Sequence, residues 1–126
     1  VAAERFQALI IDDDPMTARA TARGLGRGCD ASVSHSAEEG LARLRAGEQF
    51  DLVVCDVMMP GMKGSEFFAD AVALSPELRG RIVLVTGGAS AEQAIRIKEL
   101  GVVCLQKPLR VETLRKLAAD VGCGRR

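Results

Sequence analysis

At 126 residues, with a hydrophobic fraction of 48% and a charged fraction of 27%, the chain has the size of one domain and the makeup of a globular core, which excludes a disordered segment. Seventeen basic residues balance seventeen acidic ones, which argues against a broad nucleic-acid surface. No apolar run approaches the roughly 20 residues of a membrane-spanning helix.

The start, Val1-Ala-Ala-Glu-Arg5, has no signal-peptide pattern, and its Val reads as a fragment cut from something longer. Four Phe with no Trp or Tyr require an aliphatic core. Cys29, Cys55, Cys104 and Cys123 form no Cys-x-x-Cys pair, and the lone His35 stands near none of them, so no zinc site is expected. Cys55 and Cys104 fall in predicted core strands and read as small buried hydrophobes, which points to a reducing cytosol.

Residues 6–11 predict a first strand that runs into Asp12-Asp13-Asp14-Pro15. Pro15 suits a first helical position and Asp14 the N-cap, which leaves Asp12 and Asp13 at the strand end with no local role. A helix follows over 15–25, stopped by a Gly-rich turn, and then a weak strand over 31–35 near a sheet edge. Ser36 and Glu39 are spaced as a capping box before a second helix that ends at Gly47. Leu52-Val-Val-Cys55 is a short β-branched run with Asp56 at its end, and Met58-Met-Pro-Gly61 turns the chain into a third helix over 65–74. Residues 81–86 are a continuous aliphatic strand of the kind buried on both faces. Gly87-Gly88 leads to Ser90, a cap for a fourth helix in which Ile95 and Ile97 share no tidy face. Residues 102–105 form a fifth strand, Gln106-Lys107-Pro108 follows, and 111–121 is a last amphipathic helix.

Strand–helix alternation five times over predicts a parallel sheet covered on both faces, a three-layer α/β/α sandwich with right-handed crossovers. The polar residues at its strand ends then gather on one edge: Asp12 and Asp13, Asp56, Thr86 and Lys107. Each alone has an ordinary reading as turn, cap or solvated residue; their joint placement points to chemistry. Three carboxylates repel unless cations are present. Lys107 supplies one charge, and an all-oxygen set suits a hard divalent ion, Mg2+ or Mn2+. With those charges in place Asp56 is equipped to act as a nucleophile toward a phosphoryl group, and Thr86 to offer it a hydroxyl. His35 has no partner in this reading.

Asp12-Asp13, Asp56 with Met59-Pro60-Gly61 and Gly64, Thr86, and Lys107-Pro108 together resemble the receiver domain of two-component response regulators, over about 6–121. The resemblance implies a flavodoxin-like fold with strand order 2-1-3-4-5. It implies Asp56 as phosphoacceptor from a histidine kinase or histidine phosphotransfer domain. It also implies a metal held by Asp13 and Asp56 directly, by Asp12 through water and by the Met58 main-chain carbonyl. Lys107 would pair with Asp56 or its phosphate, and Thr86 would report the phosphoryl group. On this reading the domain is not a turnover enzyme, and it works in the cytoplasm without binding membrane or nucleic acid.

Three positions depart from the family's usual pattern. Cys104 stands where an aromatic residue commonly turns inward with the Thr, so signalling is expected through the fourth strand and helix without a ring flip. Met58 and Gly88, two places after Asp56 and Thr86, offer no side-chain hydrogen bond to an attacking water, so slow hydrolysis of the phosphoryl group is expected. The stretch 85–89 is similar to receivers attached to hybrid sensor histidine kinases; a stand-alone receiver and one cut from a transcription factor are the other contexts. The family's usual partner face carries Arg96, Lys98, Glu99, Arg110, Arg115 and Lys116 here, which reads as a solvated surface. Two rival functions use the same residues. One is a haloacid-dehalogenase-type phosphohydrolase with Asp12 as nucleophile, and the other a pseudo-receiver that binds partners without phosphorylation.

Overall fold

The aliphatic runs become five parallel strands because each is too short for a stable helix and needs cover on both faces. The computed structural model describes residues 5–26 and 28–122; the Val1 start and Cys123 lie outside them. In chain order the elements are β1 (Phe6–Ile11), α1 (Pro15–Leu25), β2 (Cys29–Ser34), α2 (Ala37–Arg45), β3 (Leu52–Asp56) and α3 (Gly64–Leu74). A 3₁₀ turn (Pro76–Gly80), β4 (Ile82–Thr86), α4 (Ala91–Leu100), β5 (Val103–Gln106) and α5 (Val111–Asp120) follow. The strand order is β2-β1-β3-β4-β5, as expected, with every neighbouring pair parallel.

Alternate residues of each strand face opposite ways, so the sheet divides the core in two. Leu9, Ile11, Val53, Cys55 and Leu84 pack with Leu41 of α2, Phe67 and Phe68 of α3, and Ile97 of α4. Ala8, Ile10, Val54 and Val85 pack with Ala18 and Leu25 of α1 and Leu114 and Ala118 of α5. β3 and β4 are buried throughout, whereas β5, on the sheet's edge, has no fully buried residue.

The caps form as the sequence predicts. Asp14 Oδ1 accepts from Met16 N (3.2 Å), Ser36 Oγ from Glu39 N (3.1 Å) and Ser90 Oγ from Gln93 N (3.2 Å). Glu39 departs from the capping box: its carboxylate accepts from His35 N at 3.3 Å, one residue before the cap. β2 begins at Cys29, two residues earlier than predicted, since its register with β1 runs from Phe6↔Cys29 to Ile11↔Ser34. α3 starts one residue early, at Gly64, and β5 is shifted to Val103–Gln106. On α4, Ile97 is buried and Ile95 is 60% exposed, which resolves their conflict of faces. Cys55 is fully buried as expected, but Cys104 is only partly so, because an edge strand lacks a neighbour on its outer side.

Candidate functional site

The carboxyl ends of β1, β3, β4 and β5 bring Asp12, Asp13, Asp56, Thr86 and Lys107 to one edge of the sheet. Asp12, Asp13 and Asp56 each offer a carboxylate oxygen within 4.8 Å of those of the other two, close enough together to hold a metal ion. Lys107 Nζ donates to Asp12 Oδ2 at 3.0 Å and to Asp56 Oδ2 at 3.1 Å. One ammonium thus faces three carboxylates. Two of these, on Asp12 and Asp56, are buried, and Asp13 is exposed.

Local structure aims each group. Asp12 has a local role that its sequence position concealed: Oδ1 accepts from Asp14 N at 2.9 Å and so turns the chain into α1. Asp56 Oδ1 accepts from Met58 N at 3.3 Å, a turn of the same kind after β3. The loop 57–63 is pinned at several points: Gly64 N donates to Val57 O (3.0 Å), Lys63 Nζ to Met59 O (2.8 Å), and Met62 N to Glu38 Oε2 (3.3 Å). Gly64 is needed where it stands. A Cβ there would lie 2.7 Å from the Asp56 carbonyl oxygen and 2.9 Å from Val57 Cα. Thr86 Oγ1 accepts from Gly88 N at 2.9 Å, and Thr86 O accepts from Lys107 N at 2.8 Å, so β4 holds the start of the Lys107 loop.

Burial raises the Asp56 carboxyl above its ordinary pKa; the Lys107 hydrogen bond opposes the rise and the Asp12 charge adds to it. Burial alone would favour neutral Lys107, yet its bonds to Asp12 and Asp56 outweigh that and raise it, so it stays an ammonium. Cys55, beside Asp56, is held as an inert thiol by burial and then by the Asp56 and Asp12 charges. Beside the cluster lies a groove of about 490 Å³ between α1 and α5, walled by Met16, Ala20, Val54, Pro108, Val111 and Leu114.

The response regulator receiver domain family matches residues 8–119. The chain belongs to this family. The receiver is 31% identical over 116 residues to the transcriptional regulatory protein ZraR of Salmonella typhimurium, a stretch covering 89% of this chain and 25% of that protein. It therefore spans about a quarter of the length of that relative. Among solved structures, a CheY-like receiver domain protein from Methanospirillum hungatei superposes with a TM-score of 0.80 at 30% identity, covering 94% of each chain. A Burkholderia pseudomallei response regulator with a phosphorylated aspartic acid, a calcium ion and citrate gives 0.72 at 31% identity, covering 92% of this chain and 70% of that one.

The phosphohydrolase reading is not favoured: the receiver family accounts for residues 8–119, and Asp14, the second acid of that reading's motif, caps α1 and accepts from Thr17 Oγ1. His35, for which the sequence pattern offers no partner, places its Nδ1 3.3 Å from the main-chain oxygen of Asp12. No pattern in the sequence marks that contact, because it joins the ends of two different strands. Among the described residues no helix is long and apolar enough to cross a membrane.

Proposed function

We infer that this receiver accepts a phosphoryl group on Asp56 from the phosphohistidine of a histidine kinase or a histidine phosphotransfer domain. The observation that carries the reading is the convergence of Asp12 and Asp56 on Lys107, with Asp13 alongside. An Asp56 carboxylate oxygen attacks phosphorus, the O–P bond forms as the P–N bond to the donor imidazole breaks, and the imidazole leaves with that electron pair. Lys107 is placed to neutralise charge on the acceptor and on the phosphoryl oxygens. Thr86 contributes a hydroxyl at the same edge, and its bond from Gly88 N ties any movement of that hydroxyl to the start of the loop before α4.

The donor set fits a divalent cation: three clustered carboxylates with one ammonium leave negative charge in excess, and every ligand is oxygen. Asp13 and Asp56 would hold magnesium or manganese directly, Asp12 through water, and the Met58 carbonyl would complete the protein ligands. When bound, the ion supplies the positive charge that phosphoryl transfer requires.

The domain, about 6–121, is on this reading a phosphoacceptor in the cytoplasm and not a turnover enzyme. Attachment to a histidine kinase core is the context favoured by the 85–89 stretch and by Cys104, which replaces the inward-turning aromatic. The test is intact-protein mass after incubation with magnesium and acetyl phosphate. One added phosphate on the wild type and none on Asp56→Asn is expected. Phosphate on neither protein, with a histidine kinase also supplied, would favour a binding module. Phosphate release that survives Asp56→Asn and fails in Asp12→Asn would make the domain a hydrolase.

A further inference from the structure

β1 and β2 pair in register up to Ile11↔Ser34, and one more ladder bond follows, from Asp12 N to Ser34 O at 3.0 Å. In a continuing parallel ladder the carbonyl of Asp12 would next accept from the backbone N–H of Ser36. Ser36 is instead the N-cap of α2, where the chain has already turned. The His35 ring stands in that place, with Nδ1 3.3 Å from Asp12 O. A carbonyl oxygen only accepts, so Nδ1 carries the proton and donates. The His35 main chain is fixed in turn by Glu39 Oε2, which accepts from His35 N.

The oxygen that His35 holds belongs to the peptide joining Asp12 to Asp13. That peptide plane sets the direction in which the Asp13 side chain leaves the backbone. The Asp13 carboxylate is exposed, and among the described residues it makes no hydrogen bond of its own, unlike those of Asp12 and Asp56. It is therefore the member of the acidic cluster whose aim depends most on its backbone. We propose that His35 is a positioning residue for the acidic cluster: by donating to Asp12 O it orients Asp13 for the divalent cation. The inference rests on the magnesium reading above and concerns a residue that touches neither the cation nor the phosphoryl group.

The test is titration with MgCl₂, followed by backbone amide shifts of the wild type, His35→Phe, His35→Asn and Asp13→Asn. Asparagine places an N–H at the same number of bonds from the backbone as Nδ1, whereas phenylalanine keeps the ring and removes the donor. His35→Phe should bind magnesium about ten-fold more weakly than wild type, the scale seen when a metal ligand's outer partner is lost, and His35→Asn should restore most of the difference. His35→Ala repeats the donor loss without a ring. Wild-type affinity in both His35→Phe and His35→Ala would overturn the proposal. An Asn variant as weak as the Phe variant would also overturn it, by showing that the N–H is not what matters. A wild type that shows no saturable shifts, or an Asp13→Asn that binds as wild type does, would overturn the magnesium reading itself.

Discussion

Replacing Gly64 by alanine should displace the Asp56 backbone and slow its phosphorylation while leaving the fold intact. The Cβ would stand 2.7 Å from Asp56 O and 2.9 Å from Val57 Cα. Both are backbone atoms of the segment that carries the phosphoacceptor, so no rotamer change relieves the overlap. The gap must open by about 0.7 Å to reach the 3.4 Å of ordinary contact, and Gly64 N is itself bonded to Val57 O, which resists the opening. Alanine gains about 1 kcal/mol over glycine in a helix, while overpacking costs about 1–3 kcal/mol, so the net loss is up to about 2 kcal/mol. For a domain of this size that lowers Tm by up to about 8 °C. A 1 Å misplacement of a reacting group costs about 100-fold in rate, so a shift of this size should slow acetyl phosphate labelling by about ten-fold or more. Gly80→Ala is the control, because its Cβ meets nothing within 4 Å. It should be neutral or stabilising by about 0.4–1 kcal/mol through the unfolded chain, with an unchanged labelling rate. A Gly64→Ala protein with wild-type Tm and wild-type labelling would refute the claim that this contact sets the position of Asp56.

In metal-free buffer at neutral pH, Asp56→Asn should have a higher Tm than wild type, since burial makes ionised Asp56 unfavourable in the folded state. The folded carboxyl holds its proton more tightly than the unfolded one, so wild-type stability falls as pH rises through the folded pKa. The Tm gap should therefore close below the ordinary carboxylate pKa of about 3.9, and a gap that widens toward acid would contradict this sign. Magnesium at ten times its Kd should stabilise the wild type by about 1.4 kcal/mol, a rise of a few degrees in Tm that Asp13→Asn should lack. The Thr17 hydroxyl, and then the Met16 amide, hold Asp14 below the usual carboxylate range. Its contribution is present above the unfolded pKa and lost as pH falls through the folded one, so Asp14→Ala should lower Tm at pH 7 and flatten the acid side of the Tm–pH curve. With neither Met58 nor Gly88 able to orient water through a side chain, the phosphoryl group should persist for minutes or longer; decay within seconds, followed by mass, would contradict this.

The sheet and the acidic edge were legible because they rest on local signals. β3 and β4 are continuous apolar runs, the Asp14, Ser36 and Ser90 caps sit beside their helices, and strand ends in a parallel sheet share one edge by topology. What the sequence hid depends on partners far along the chain. The pairing of Cys29 with Phe6 extends β2 beyond its weak apolar pattern. Lys107 bonds Asp12 across 95 residues as well as Asp56, and Cys104 is partly exposed because β5 is an edge. The link from His35 to Asp12 is likewise a matter of register between strands.

β5 lies outermost in the sheet, and Val103 on it is 54% exposed, so hydrophobic packing holds this strand less firmly than any central one. Directly beyond it, Lys107 reaches over β4 to carboxylates that follow β1 and end β3. The outer strand is thus moored to the middle of the sheet by charge. Any change in the charge on Asp56 alters the tension on that mooring at once, two strands away, with no core side chain having to move.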